Sequence, residues 1–109
     1  MSISRFRRQS GSAVKLLKSL ANEPRLLVLC FLAESGELSV GELVDRVDLS
    51  QSAVSQHLAK MRKAGLVTTR KESQTVFYRV SDPKANRVIE LLHDLFCPEL
   101  GREKDRRTR

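Results

Sequence analysis

The feature that most constrains the fold is a three-residue connection between two predicted helices. At the start of the first helix, Ser39 and Glu42 have the spacing of a capping box, in which each side chain satisfies the other residue's backbone amide. The connection is Asp48-Leu49-Ser50, whose serine is placed to cap the second helix, and Gly65 is typical of the position just past a helix end. So short a turn between two helices predicts a helix-turn-helix unit.

Further helices flank this unit on both sides. Apolar residues at helical spacing predict a first helix from about Gly11 to Leu20. Asn22 before Glu23-Pro24 marks a helix start, which favours a buried central helix over a buried strand for the apolar run from Leu26 to Leu32. Ser81-Asp82-Pro83 opens a last helix. Its apolar stripe consists of Val88, Leu91, Leu92, Leu95 and Phe96.

A hairpin is predicted between the helix-turn-helix unit and the last helix. Leu66 to Arg70 and Thr75 to Val80 are rich in β-branched and aromatic residues, and the polar link 71–74 joins them. The fold class is therefore mainly α with a β-hairpin wing, a winged helix-turn-helix of order ααααββα. We expect a basic N-terminal arm at 1–10, a DNA-binding and dimerisation domain at 11–98, and a charged, disordered tail at 99–109.

The charges are distributed in blocks. Residues 1–20 carry five basic and no acidic side chains, residues 21–50 carry six acidic against two basic, and residues 51–80 carry six basic against Glu72 alone. A basic block beside an acidic one predicts a nucleic-acid-binding face opposed to a non-binding face. Charge that only keeps the chain in solution explains the same pattern equally well.

The sequence also favours a cytoplasmic protein with no membrane partner. No segment approaches the roughly 18 consecutive apolar residues of a membrane-spanning helix, and no apolar stretch of a secretory signal follows the basic N-terminus. In the cytoplasm, Cys30 and Cys97 are not expected to form a permanent structural disulfide. They are either buried thiols or redox-active ones.

The helix after the short turn is the predicted DNA-reading element. Val54, Leu58 and Met61 should pack inward, which leaves short polar and basic side chains on the other faces, where they can reach base edges in the major groove. The candidates are Gln51, Ser52, Ser55, Gln56 and Lys60. An ordinary surface helix is the alternative, and His57, beside Leu58, is either a base reader or a packing residue.

The hairpin tip is the second candidate for contact with DNA. Arg70, Lys71 and Gln74 cluster near the turn, where a wing could touch the minor groove or its phosphates. A charged tip that serves only solubility is the alternative.

These motifs together resemble a known family. Glu37 to Leu43, Leu49 to Leu58, Gly65-Leu66-Val67 and the hairpin from Arg70 to Tyr78 follow one another as in the ArsR/SmtB family of bacterial repressors, over about residues 12–98. The resemblance implies a symmetric homodimer, built from the first and last helices, that reads a palindromic operator in double-stranded DNA. The apolar stripes agree with it, because a monomer of 109 residues would expose them.

Metal sensing, common in this family, is not predicted for this chain. A metal ion needs several Cys, His or carboxylate ligands at suitable spacing. His93 and Cys97 lie one turn apart with Asp94 nearby, and two such groups rarely close a site. We therefore expect no metal and no other cofactor.

The cysteine contexts resemble the two-cysteine branch of the family, which responds to reactive sulfur species or oxidants. The resemblance implies that Cys30 and Cys97 are redox-sensing residues that lie near each other and become linked by oxidation or persulfide chemistry, which weakens DNA binding. The alternatives are a metal-responsive regulator and a redox-insensitive one with inert, buried cysteines. An enzyme is not expected, since the sequence has no Gly-rich phosphate loop, nucleophile elbow or paired catalytic carboxylates.

Overall fold

The computed structural model describes residues 2–97, which form five helices and three strands. In chain order they are α1 (Ile3–Leu20), α2 (Glu23–Ser35), β1 (Leu38–Ser39), α3 (Val40–Arg46), α4 (Gln51–Lys63), β2 (Val67–Glu72), β3 (Thr75–Val80) and α5 (Pro83–Phe96). The winged helix-turn-helix class is confirmed. The predicted tail, like Pro98, lies outside the described residues.

The predicted helix starts are confirmed by their caps. The Asn22 side chain accepts a hydrogen bond from the Arg25 amide at 3.1 Å, and Ser50 accepts one from the Ala53 amide at 3.1 Å. Ser39 and Glu42 form the complete capping box. Each cap satisfies a backbone amide that the first helical turn leaves without a partner.

Helix α1 begins at Ile3, well before the predicted start at Gly11, so residues 3–10 are helical rather than a separate arm. Ser2 caps the helix by accepting a hydrogen bond from the Arg5 amide. A glycine inside a helix costs only about 1 kcal/mol relative to alanine, and the arginines that precede it are good helix formers. Gly11 therefore does not end this helix.

The hairpin is longer than predicted, and a third strand joins it. Strand β2 extends to Glu72, so the turn is Ser73-Gln74 rather than 71–74, and Ser73 has a φ of 54°. Strand β1 pairs antiparallel with β3, which makes β3 the central strand. Strand β1 was not predicted, because two residues are too few to show a period of two.

The core is built around α2. Val28, Leu29 and Leu32 are wholly buried, as expected for a central helix, and α2 packs against α1, α3, α5 and β3. Helix α4 contributes the three predicted inward residues, Val54, Leu58 and Met61. On α5 the buried residues are Ala85 and Ile89, whereas Leu91, Leu95 and Phe96 of the predicted stripe are exposed.

A Schellman motif at the end of α4 sets the path of the chain into the wing. The Leu66 amide donates to the Met61 carbonyl and the Gly65 amide donates to the Arg62 carbonyl, at 2.9 and 3.0 Å. Gly65 has a φ of +80°, in the left-handed region that only glycine adopts without strain. The predicted glycine stop is confirmed.

The two glycines Gly65 and Gly11 should respond to alanine with opposite signs. At Gly65 a Cβ meets no neighbouring atom, so Gly65→Ala should cost about 1–2 kcal/mol through backbone strain alone. Gly11→Ala, in the exposed middle of α1, should stabilise by about 1 kcal/mol. Urea unfolding at one protein concentration measures both, and a stabilising Gly65→Ala would contradict the assignment.

Candidate nucleic-acid interface and cysteine pair

Helix α4 presents a continuous polar face to solvent. Its inner side is anchored by Val54, Leu58 and Met61, none of which is more than 1% exposed, and α3 packs against it. The side chains predicted to read bases all lie on the exposed side: Gln51, Ser52, Ser55, Gln56 and Lys60. The packing therefore fixes the helix while leaving these side chains free to contact a ligand.

The ends of α4 suit a polyanion. Its N-terminal turn offers backbone amides and the positive end of the helix dipole, and Ser50 engages one of these amides. The last turn carries Lys60, Arg62 and Lys63. The short polar side chains lie between the positive N-terminus of the helix and its basic last turn. Such an arrangement is suited to DNA, because the polar side chains can contact base edges while the two ends contact the flanking phosphates.

His57 does not lie with the exposed row. Its ring is half-buried, and among the described residues neither its Nδ1 nor the Nε of Arg25 has a hydrogen-bond partner. Burial lowers the pKa of His57, and the positive charges of Arg25 and Lys60 lower it further. The neutral imidazole is therefore favoured, and a role in reading bases stays a prediction.

The tip of the wing places Lys71 and Gln74 in solvent, but it holds Arg70 differently. The Arg70 guanidinium donates through Nε and Nη2 to the Glu37 carboxylate at 2.7–3.2 Å and through Nη1 to Glu72 at 2.8 Å. Its carbon Cζ lies 4.9 Å from the centre of the Phe77 ring. The hydrogen bonds from Arg70 lower the pKa of Glu37, so this carboxylate stays charged.

Arg70 was predicted from the sequence, whereas its partner Glu37 was not. The two residues are 33 positions apart, and the glutamate lies in the acidic block that was expected to face away from DNA. Only the pairing of β1 with β3, which was not predicted, brings them together.

Cys30 and Cys97 are both unbridged, half-buried thiols. Cys30 lies on α2, and Cys97 directly follows α5, the helix that packs against α2. Burial raises the pKa of Cys30, and nearby Cys97 and Glu34 raise it further. The two cysteines thus belong to, or directly follow, helices that pack against each other, and their predicted link stays a prediction.

Within residues 2–97, no three or more His, Cys, Asp or Glu side chains form a cluster suitable for a metal ion. Nor does any helix within that range combine the length and apolar character needed to cross a bilayer.

The fold and the exposed face of α4 define the class: a winged helix-turn-helix DNA-binding protein. The sequence model of the bacterial regulatory protein arsR family matches residues 22–69. The chain belongs to this family and is a transcriptional regulator of the HlyU and BigR type. The predicted resemblance and the expectation of a regulator rather than an enzyme are confirmed by this membership.

Similarity to known members extends over most of the chain. This chain is 56% identical to the transcriptional activator HlyU of Vibrio cholerae over 97 residues, and the aligned region covers 89% of each sequence. A structure of reduced HlyU from Vibrio cholerae matches with a TM-score of 0.80 at 56% identity, covering 87% of this chain and 99% of that one. The transcriptional repressor BigR from Xylella fastidiosa matches with a TM-score of 0.83 at 35% identity, covering 89% and 98%.

The half-buried imidazole predicts that acid destabilises the fold. Because folding lowers the pKa of His57 below its ordinary 6.5, the unfolded chain binds the proton more readily. The stability from neutral His57 is present above pH 6.5 and is lost as the pH falls through the folded-state pKa. When the pH is lowered from about 7.5 to about 5.5, the free energy of unfolding measured in urea should fall less for His57→Gln than for the wild type. An equal loss in both proteins would contradict this placement of the ring.

Proposed function

We propose that this regulator is a homodimeric repressor that reads a palindromic operator and releases it when Cys30 and Cys97 become linked. The observation that carries the proposal is the position of Cys97. It lies immediately after Leu95 and Phe96, the exposed apolar end of α5, and α5 packs against α2, the helix that carries Cys30. A bond at Cys97 therefore acts next to the surface on which a second subunit would pack.

The DNA contacts of the proposal follow from exposure and charge. Gln51, Ser52, Ser55 and Gln56 would approach base edges in the major groove, and Lys60 would hold a phosphate. Lys71 and Gln74 at the tip of the wing would contact the neighbouring minor groove or its backbone. His57, which is half-buried, would pack behind the exposed side chains of α4.

Homodimerisation is supported by apolar faces that the monomer leaves open. On α1, Ile3, Phe6 and Leu17 are 52–63% exposed, and on α5, Leu95 and Phe96 are 63% and 79% exposed. Both helices pack against α2. A second copy would cover both faces, and the two-fold symmetry of the pair would match the palindrome.

A charge on the α5 face should separate the subunits. Leu95→Glu would place a carboxylate in an apolar contact, which should weaken dimerisation by about 100-fold or more. Sedimentation velocity across a dilution series, without DNA, measures this. Ala59→Glu on the exposed side of α4 is the matched control and should keep the wild-type mass. A dimer that survives Leu95→Glu would place the interface elsewhere.

The proposed switch is a thiol exchange in which each step is balanced. The Cys97 thiolate attacks a terminal sulfur of an inorganic polysulfide, whose S–S bond breaks with the electron pair leaving on the shorter polysulfide. The Cys30 thiolate then attacks the Cys97 sulfur, and hydrosulfide leaves as the disulfide forms. The raised pKa of Cys30 favours this order, since less of that thiol is ionised. The match to a relative solved as reduced HlyU supports redox chemistry.

Polysulfide should weaken operator binding by about tenfold or more, the size of a typical coupling between two sites. Fluorescence anisotropy with the operator would be read beside intact-mass spectrometry of the same samples. Cys30→Ser and Cys97→Ser should bind DNA like the reduced protein and not respond.

Peroxide is the parallel treatment. It oxidises one thiolate to a sulfenic acid, and the second thiol attacks this sulfur and displaces water as the disulfide forms. An unchanged affinity in a sample whose mass shows the disulfide would identify a redox-insensitive regulator.

A further inference from the structure

The Arg70 side chain spans the three-stranded sheet from one edge to the other. In the strand register, Arg70 of β2 lies opposite Phe77 of the central strand β3, and Phe77 lies opposite Ser39 of β1. These three residues form one row across the sheet. The guanidinium passes over the Phe77 ring and reaches Glu37, just before β1. One side chain thus connects both edges of the sheet across its middle.

The geometry of the contact between Arg70 and Glu37 is that of a strong ion pair and not of a weak surface ion pair. Two guanidinium nitrogens engage the Glu37 carboxylate, a third engages Glu72, and the aromatic face lies beneath. Most exposed ion pairs contribute little, but bidentate Arg–carboxylate pairs that belong to a network are the exception. We call Glu37, Arg70, Glu72 and Phe77 the wing clamp.

The composition of the wing clamp does not suit a phosphate. A phosphate that approached Arg70 would meet two carboxylates already bound to the same guanidinium. It would have to displace one of them and be repelled by the other. Lys71, the next residue along β2, is exposed and has no such partner among the described residues.

The wing clamp connects the hairpin to the helix-turn-helix unit. Ser39 ends β1 and is also the N-cap of α3, the first helix of the unit. A contact that fixes the position of β1 therefore also fixes the start of the helix-turn-helix unit. At the other end of the unit, α4 continues through Gly65 into β2. The wing is therefore attached to the unit covalently at one edge, and at the other edge by the pairing of β1 with β3 and by the ion pair of Arg70 with Glu37.

We propose that Arg70 is a positioning residue rather than a phosphate contact, and that its pairing with Glu37 sets the angle between the wing and α4 that DNA binding requires. The inference rests on the proposed wing contact with DNA. It replaces the direct role that the sequence suggested for Arg70. Glu37, in the acidic block, then favours DNA binding although its charge is negative.

Two substitutions that each remove one negative charge test whether the pair of Arg70 with Glu37 strengthens or weakens operator binding. Glu37→Gln breaks the bidentate pair, whereas Glu72→Gln removes an equal charge beside the same guanidinium and leaves that pair in place. If Arg70 positions the wing, Glu37→Gln should weaken operator binding by about fivefold, and Glu72→Gln should leave it within about twofold of wild type. If Arg70 is a phosphate contact, Glu37→Gln should instead bind more tightly, because the guanidinium is released, and the proposal is overturned.

Salt dependence gives a readout that a merely structural effect would not reproduce. Losing a phosphate contact lowers the slope of log affinity against log salt by about 1, so Lys71→Gln should show this drop. Arg70→Lys keeps the charge but loses the bidentate pair, so it should bind as weakly as Glu37→Gln, with the wild-type slope. Near-normal binding by Arg70→Lys would refute the positioning role.

Hydrogen exchange separates the wing clamp from the function it serves. In Glu37→Gln, amides of β1 and β3 should exchange faster than in Glu72→Gln, while those of α4 stay unchanged. Unchanged exchange in β1 and β3 would refute the wing clamp itself. If Lys71→Gln leaves both affinity and slope unchanged, the proposed wing contact is wrong, and the exchange data still report whether the wing clamp exists.

Discussion

Burial of α2 is the constraint on which the rest of the structure depends. This helix is apolar on all sides, and its Val28, Leu29 and Leu32 are withdrawn from water by α1, α3, α5 and β3 together. A helix of this kind has no stable place in solvent, so its neighbours take fixed positions by covering it. The helix-turn-helix unit, the wing and the terminal helices are thereby oriented around one element, which also carries Cys30.

Local chemistry made most of the fold predictable from the sequence. Asn22, Ser50 and Gly65 mark helix ends by hydrogen bonds or backbone angles that involve only nearby residues, and such signals survive without tertiary context. The same holds for the inward positions of α4, whose spacing predicted both its buried and its exposed side. The candidate reading face followed directly from this periodicity.

The remaining features depend on contacts between distant residues or on sums over many residues. Strand β1 exists because β3 offers it partners, and Glu37 meets Arg70 only as a result of that pairing. The early start of α1 reflects the combined propensity of residues 3–20, which outweighs the cost of Gly11. Opposite charge blocks suggested opposite faces, yet at the wing an acidic and a basic block meet in one network. Block charges describe averages and do not locate individual pairs.

The exposed end of α5 has a consequence for how such a regulator responds to its own abundance. Phe96 is 79% exposed in the single chain. If a second copy covers this surface, as proposed, two chains must meet before paired reading helices exist. When dimers are scarce, operator occupancy then rises with the square of the protein concentration. A modest change in synthesis or degradation would produce a disproportionate change at the promoter, so copy number itself would become a control variable beside thiol chemistry.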